Sequence, residues 1–176
     1  MIKYENFVNY KCPRWDDYPD FDLYMDQVVC ILERYLAPFS EEGGKTITSA
    51  MINNYVKQKI VKPPEKKKYA RFHLAYLFVV CVLKKIMSIS EICDGMGQLL
   101  NKYDIETSYE MFCDALDNAF KYVFSSEKPA EVAEDYEHKM LSSVTLGVAN
   151  MYYARCLIRK KKEQNAAGGT SADAAD

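Results

Sequence analysis

The 176-residue chain lacks any long hydrophobic run. Its longest unbroken apolar stretch, Leu74 to Leu83, is ten residues, about half of the roughly 20 that a bilayer-spanning helix needs. The N-terminus, Met1-Ile2-Lys3-Tyr4-Glu5, has no apolar signal core, so a cytoplasmic protein with no membrane partner is expected. Glycine and proline are scarce, at seven and six, and no motif recurs at a fixed period, which argues against all-β sandwiches and repeat arrays. The six cysteines include no Cys-x-x-Cys pair, and only two histidines are present, so neither a metal box nor a disulfide framework is expected. Cys30, Cys81 and Cys113 sit in apolar helical runs and read as buried small hydrophobes, with Cys12 and Cys93 the more exposed thiols. His73 has no Ser, Cys or Asp partner at a recognisable catalytic spacing, neither His73 nor His138 lies at metal-ligand spacing from a Cys, and no glycine-rich phosphate loop is present. The chain therefore reads as a non-enzyme with no cofactor.

What the sequence does have is a hidden charge asymmetry. From Lys45 to Lys85 it carries ten basic residues and one acidic, Glu65, a net of +9 against −2 for the whole chain, which leaves −11 on the remainder. A basic segment in an acidic body suggests a surface that faces a polyanion.

Helical spacing dominates the rest. Residues 1–19 form an aromatic arm (Tyr4, Phe7, Tyr10, Trp15, Tyr18) expected to pack onto a domain. From Asp20, Leu23, Val28, Ile31, Leu32 and Tyr35 make a helical stripe that stops before Pro38. Thr48 or Ser49 caps a short helix with Met51, Ile52, Tyr55 and Val56 on its apolar side. The Lys62-Pro63-Pro64-Glu65-Lys66-Lys67-Lys68 segment is an exposed loop, because proline lacks an amide donor and disfavours helix before it. Arg71–Met87, apolar nearly all round, reads as a buried central helix opened by His73 as a capping or packing residue. Ser88-Ile89-Ser90-Glu91 and Thr107-Ser108-Tyr109-Glu110 are capping boxes that open two further helices. Pro129 suits the first turn of a last helix running to about Lys162, followed by a disordered tail over 163–176. At most a small two-stranded ribbon is expected, around Ile60 and Lys68–Tyr69. The fold class is all-α, with six or seven helices.

The segment Thr48–Ile92 has the order of a winged helix-turn-helix head, and it resembles that of MerR-type transcription regulators. Met51-Ile52-Asn53-Asn54-Tyr55 stands at the recognition-helix position, Lys59-Ile60-Val61-Lys62-Pro63 where Gly-Leu-Leu-x-Pro is expected, Lys67-Lys68-Tyr69 at the wing, and Ile89-Ser90-Glu91-Ile92 at the closing segment. Asn53 replaces an Arg of that pattern, and Ala37–Ile47 is longer than a tight turn. Leu23-Tyr24-Met25-Asp26-Gln27, Met51 to Lys57 and Lys66-Lys67-Lys68-Tyr69 are closer still to the bacterial family called domain of unknown function 1836, found mainly in Firmicutes and thought to be a MerR-like branch.

The resemblance implies a MerR-like head over 20–104 that binds double-stranded DNA, and a C-terminal helical region, 105–162, for dimerisation or an effector. In that reading Ser49, Asn53 and Lys57, four apart, share one face of the recognition helix. Asn53 or Asn54 can pair with adenine, while Lys57 holds a phosphate. Lys66, Lys67 and Lys68 meet the flanking backbone, and Tyr69 and Arg71 belong to the same expected DNA-binding set. A homodimer is expected through the long last helix. The Tyr- and Met-rich C-terminal region (Tyr109, Met111, Phe112, Phe120, Tyr122, Tyr136, Met140, Met151, Tyr152, Tyr153) packs for the most part as core, or lines a dimer interface or an effector pocket for an unidentified small molecule. The alternative function is an interaction module whose basic loop meets an acidic protein.

Overall fold

The computed structural model describes residues 3–40, 44–125 and 134–168. Regular structure in them is all-α: α1 Glu5–Val8, α2 Met25–Leu36, α3 Ser49–Lys57, α4 Arg71–Leu83, α5 Ile89–Leu100, α6 Ile105–Ser125 and α7 Tyr136–Gly168, with 3₁₀ turns at Trp15–Asp17 and Ala37–Phe39.

The aromatic arm packs as its composition demands. Phe7, Tyr10 and Tyr18 are buried, and Phe7 stacks on Phe120 of α6 at 5.0 Å between ring centroids. Phe39, Phe124 and Tyr152 close around it. Arg14 fastens the arm from outside. Its guanidinium meets Glu110 at 3.1 Å, Asp114 at 2.7 Å and Asp117 at 2.8 Å, three carboxylates on one face of α6. The Cys12 amide donates to Asp117 at 2.7 Å, and the Cys12 and Cys113 sulfurs lie 2.9 Å apart. Cys12 is therefore buried rather than exposed, and Cys30 is exposed rather than buried. Neither reversal was visible locally, since the groups that cover Cys12 lie on α6.

α4 is the central helix, with ten buried residues from His73 to Leu83. It packs against α2, α5, α6 and α7, so the buried side chains form one cluster from Phe7 to Cys156. Ser88 caps α5: its hydroxyl accepts from the Glu91 amide, and Glu91 returns to the Ser88 amide at 2.8 Å. α6 begins earlier than its sequence box suggests. Asp104 is the cap, accepting from the Thr107 amide at 2.7 Å, which leaves Thr107 and Ser108 inside the first turn.

Two expectations about segment ends change. Leu23 does not extend α2 but is extended, paired with Tyr69 in an isolated antiparallel bridge, while Ile60 pairs with neither Lys68 nor Tyr69. α7 continues through Gly168, past Lys162 and into the segment expected to be disordered. Its proposed start at Pro129, and 169–176, lie outside the described residues. No helix among the described residues is long and apolar enough to cross a membrane.

Candidate functional site

The basic segment is built on α3 and the loop that follows it. Thr48 accepts from the Met51 amide at 3.2 Å and starts the helix. Ile52 and Tyr55 turn into the core. Ser49, Asn53, Asn54 and Lys57 lie on the outer side of the helix, with Ser49 and Asn53 exposed. The Asn54 side-chain oxygen accepts from Gln58 at 3.2 Å, so Asn53 has the less committed amide of the two.

α3 ends in a Schellman motif: the Ile60 amide donates to the Tyr55 carbonyl at 2.9 Å and the Lys59 amide to Val56 at 3.0 Å. This geometry needs a left-handed residue after the helix, ordinarily glycine, and Lys59 fills it with φ 59°. Val61 then plugs the core, and the chain passes Pro63-Pro64 into a tight turn. The Lys68 amide donates to the Glu65 carbonyl at 2.8 Å. Lys66 and Lys67 occupy the central positions with φ 48° and 64°, as a type I′ turn requires. Such turns favour Asn-Gly because a β-carbon at positive φ costs about 1–2 kcal/mol. Lys59, Lys66 and Lys67 are the three positive-φ non-glycine residues of the described chain. All three are lysines of the basic segment, placed where conformation alone favours glycine.

The charges are largely uncompensated. Lys57, Lys59, Lys66 and Lys67 are exposed and Lys68 is half-buried. None of them, nor Lys62, has an ion pair among the described residues. Lys62 lies 6.0 Å from the Phe72 ring and Lys68 5.4 Å from the exposed Tyr24 ring. Lys57, Lys59 and Lys62 border one groove with Val56, Ile60 and Phe72.

Other members of the segment are committed to structure. Lys45 pairs with Glu33 at 3.8 Å. Lys84 donates to the Thr46 carbonyl and the Tyr55 hydroxyl, and burial lowers its pKa from the ordinary lysine value. Two further residues of the expected set, Tyr69 and Arg71, make contacts within the fold. Tyr69 is 3% exposed, its ring against His73 at 5.3 Å, because it anchors the bridge to Leu23. Arg71 pairs with Asp16 at 2.8 Å and covers the Trp15 ring at 5.7 Å, so its charge holds the arm. Lys59 and Lys62 join the exposed cluster instead. The signal for Lys59 was a lysine at the glycine position of the helix-turn-helix pattern.

A second concavity lies between α4, α5, α6 and α7. It is a cavity of ≈ 310 Å³ lined mainly by apolar side chains, with Tyr109, Phe112, Tyr136 and Met140 from the C-terminal region among them. Tyr76, Leu100 and Ile105 form a wall shared with the groove beside α3. Among the described residues no group of three His, Cys, Asp or Glu side chains is placed to hold a metal ion.

Comparison with curated proteins and with solved structures gives no match. Residues 13–112 match the family described as Domain of unknown function (DUF1836), a span that takes in Arg14, the whole basic segment and α6 as far as Phe112; the chain belongs to that family.

Proposed function

We propose that the protein is a DNA-binding transcriptional regulator, non-enzymatic, whose α3 enters a major groove while the Glu65–Lys68 turn rests on the adjoining backbone as a MerR-like wing. The observation that carries this reading is the placement of Lys59, Lys66 and Lys67 at positive φ. A chain that accepts backbone cost to put cations on two successive turns gains something from those charges, and such strain concentrates at functional sites. The helix order supports it: α2 and α3 form the helix pair, and α4 and α5 follow the turn as the buried and closing helices.

Ser49 and Asn53 face the bases, with Asn54 partly held by Gln58. Lys57, Lys59, Lys62, Lys66, Lys67 and Lys68 neutralise phosphates, and release of counterions supplies most of the affinity. Tyr69 and Arg71 act behind this surface, fixing the loop. The acidic remainder of the chain repels DNA and so sets the docking orientation. Two heads on a two-fold axis would read paired half-sites. Most of the apolar face of α7 (Val148, Ala149, Tyr152, Cys156) is buried within the same chain. A homodimer contact is therefore assigned to Leu157 and Ile158, which stay 49% and 59% exposed.

Selection from random duplexes at moderate salt tests the reading. Enrichment of a defined sequence by wild type, reduced on replacing Asn53 by Ala, is the expected result. If nothing is enriched, the basic surface is better assigned to an acidic protein partner.

A further inference from the structure

We propose that Cys12 and Cys113 are a disulfide-forming pair, oxidised by a hydroperoxide, and that the bond between them staples the N-terminal arm to α6. The two sulfurs lie 2.9 Å apart although 101 positions separate the residues in the chain. A disulfide holds its sulfurs at about 2.05 Å, so closing the bond needs an approach of less than about 1 Å.

Contacts on both sides of Cys12 fix this juxtaposition. The Cys12 amide donates to Asp117 at 2.7 Å. The Tyr109 hydroxyl donates to the Pro13 carbonyl at 2.7 Å, and the Cys113 thiol donates to the same carbonyl at 3.4 Å. Tyr109, Cys113 and Asp117 stand one turn apart on one face of α6. Arg14 then grips that helix through three carboxylates. Together these contacts set the register that places one sulfur on the other. The remaining cysteines sit apart from the pair: Cys30 is exposed on α2, Cys93 is half-buried on α5, and Cys81 and Cys156 are buried in α4 and α7.

Cys12 and Cys113 are 3% and 0% exposed, and burial holds the Cys12 thiol above its ordinary pKa, so the docked pair reacts slowly. Reaction begins when the arm lifts, since segments near a chain end open more readily than a core helix. The freed Cys12 thiolate attacks one oxygen of the hydroperoxide. An S–O bond forms, the O–O bond breaks, and the leaving oxygen takes a proton, which gives a sulfenic acid on Cys12. Redocking brings that sulfur onto Cys113, whose sulfur displaces the hydroxyl. The hydroxyl departs as water with the Cys113 proton, and the S–S bond closes. Two thiols have lost two electrons and one peroxide bond has gained them. Once docked, the disulfide is shielded from reductant thiols. It also fixes the arm that carries Trp15 and Asp16, the two residues that hold Arg71 at the end of the basic loop. The bond is independent of what that loop binds.

Fully reduced, folded protein is exposed to hydrogen peroxide, its remaining thiols are alkylated in denaturant, and its peptides are mapped by mass spectrometry. A peptide linked through Cys12 and Cys113 is expected, formed within single chains on a non-reducing gel. The helical circular dichroism should be unchanged and the melting temperature raised by about 5–15 °C, an effect that reduction in urea reverses. Cys12→Ala should abolish both the link and the rise, while Cys30→Ala should keep both. The mapping is read on wild type, so it stands even if Cys12→Ala folds poorly. The pairing is overturned if Cys12 and Cys113 are both recovered alkylated after Cys30 and Cys93 have been oxidised, if Cys12 is linked to a different cysteine, or if the linked protein melts no higher than the reduced one.

Discussion

Leu23 and Tyr69 exchange both backbone hydrogen bonds, at 2.9 and 2.8 Å, and so tie the end of the basic loop to the chain just before α2. The loop is anchored at both ends. Val61 is buried at its start, Tyr69 at its finish, and the Lys66–Lys67 turn stands out between them. A cationic turn held this way presents its charges in a fixed place and loses little freedom on binding.

The cost of that turn is measurable. Replacing Lys66 by Asn and Lys67 by Gly gives the sequence that a type I′ turn prefers. The double variant is expected to be more stable by roughly 1–2 kcal/mol in urea denaturation, yet to bind duplex DNA more weakly. A loss of stability would show that the lysines are there for the fold.

His73 gives the protein an acid-side weakness. The Ala70 amide donates to its Nδ1 at 2.9 Å, and the ring is buried. Burial pushes its pKa below the ordinary value of 6.5, against the pull of the Ala70, Pro63 and Lys62 backbone. The unfolded chain therefore binds the proton more readily, and stability falls as pH drops through 6.5 until the folded-state histidine also titrates. His73→Gln, whose side-chain oxygen can still accept from Ala70, should remove that part of the pH dependence between about pH 7.5 and 5.5. An unchanged slope in urea midpoints would assign the effect to another group.

The elements whose signals are local were legible in the sequence. The all-round apolar run of α4, the Ser88 box and the Thr48 cap needed only neighbours in the chain. Thr107-Ser108-Tyr109-Glu110 misled because it has the spacing of a box, while Asp104, nearer the helix start, caps first. Leu23 fits the period of the α2 stripe, yet its partner Tyr69 lies far along the chain, and no periodicity reports a backbone bridge. For the site, the exposed lysines of the loop and the outer face of α3 followed from charge and spacing. The burial of Tyr69 and the capture of Arg71 by Asp16 and Trp15 depend on the folded arm, and so did not.

The homodimer has a narrow test. Leu157→Glu with Ile158→Glu changes only exposed positions of α7, so the monomer fold should survive with its helical circular dichroism intact. Light scattering at high micromolar concentration should then report a dimer for wild type and a monomer for the variant. Monomer in both cases would remove the dimer from the proposal.

The central claim, that the lysines of α3 and its loop hold DNA phosphates, is tested most directly by the salt dependence of duplex affinity. The logarithm of the binding constant should fall steeply and linearly with the logarithm of salt concentration for wild type. Replacing Lys66, Lys67 and Lys68 together by Ala should weaken binding to all sequences alike, and make that slope shallower by about 0.9 for each phosphate no longer neutralised. A wild-type protein that shows no salt-dependent duplex binding, or a triple variant with an unchanged slope, would contradict the claim.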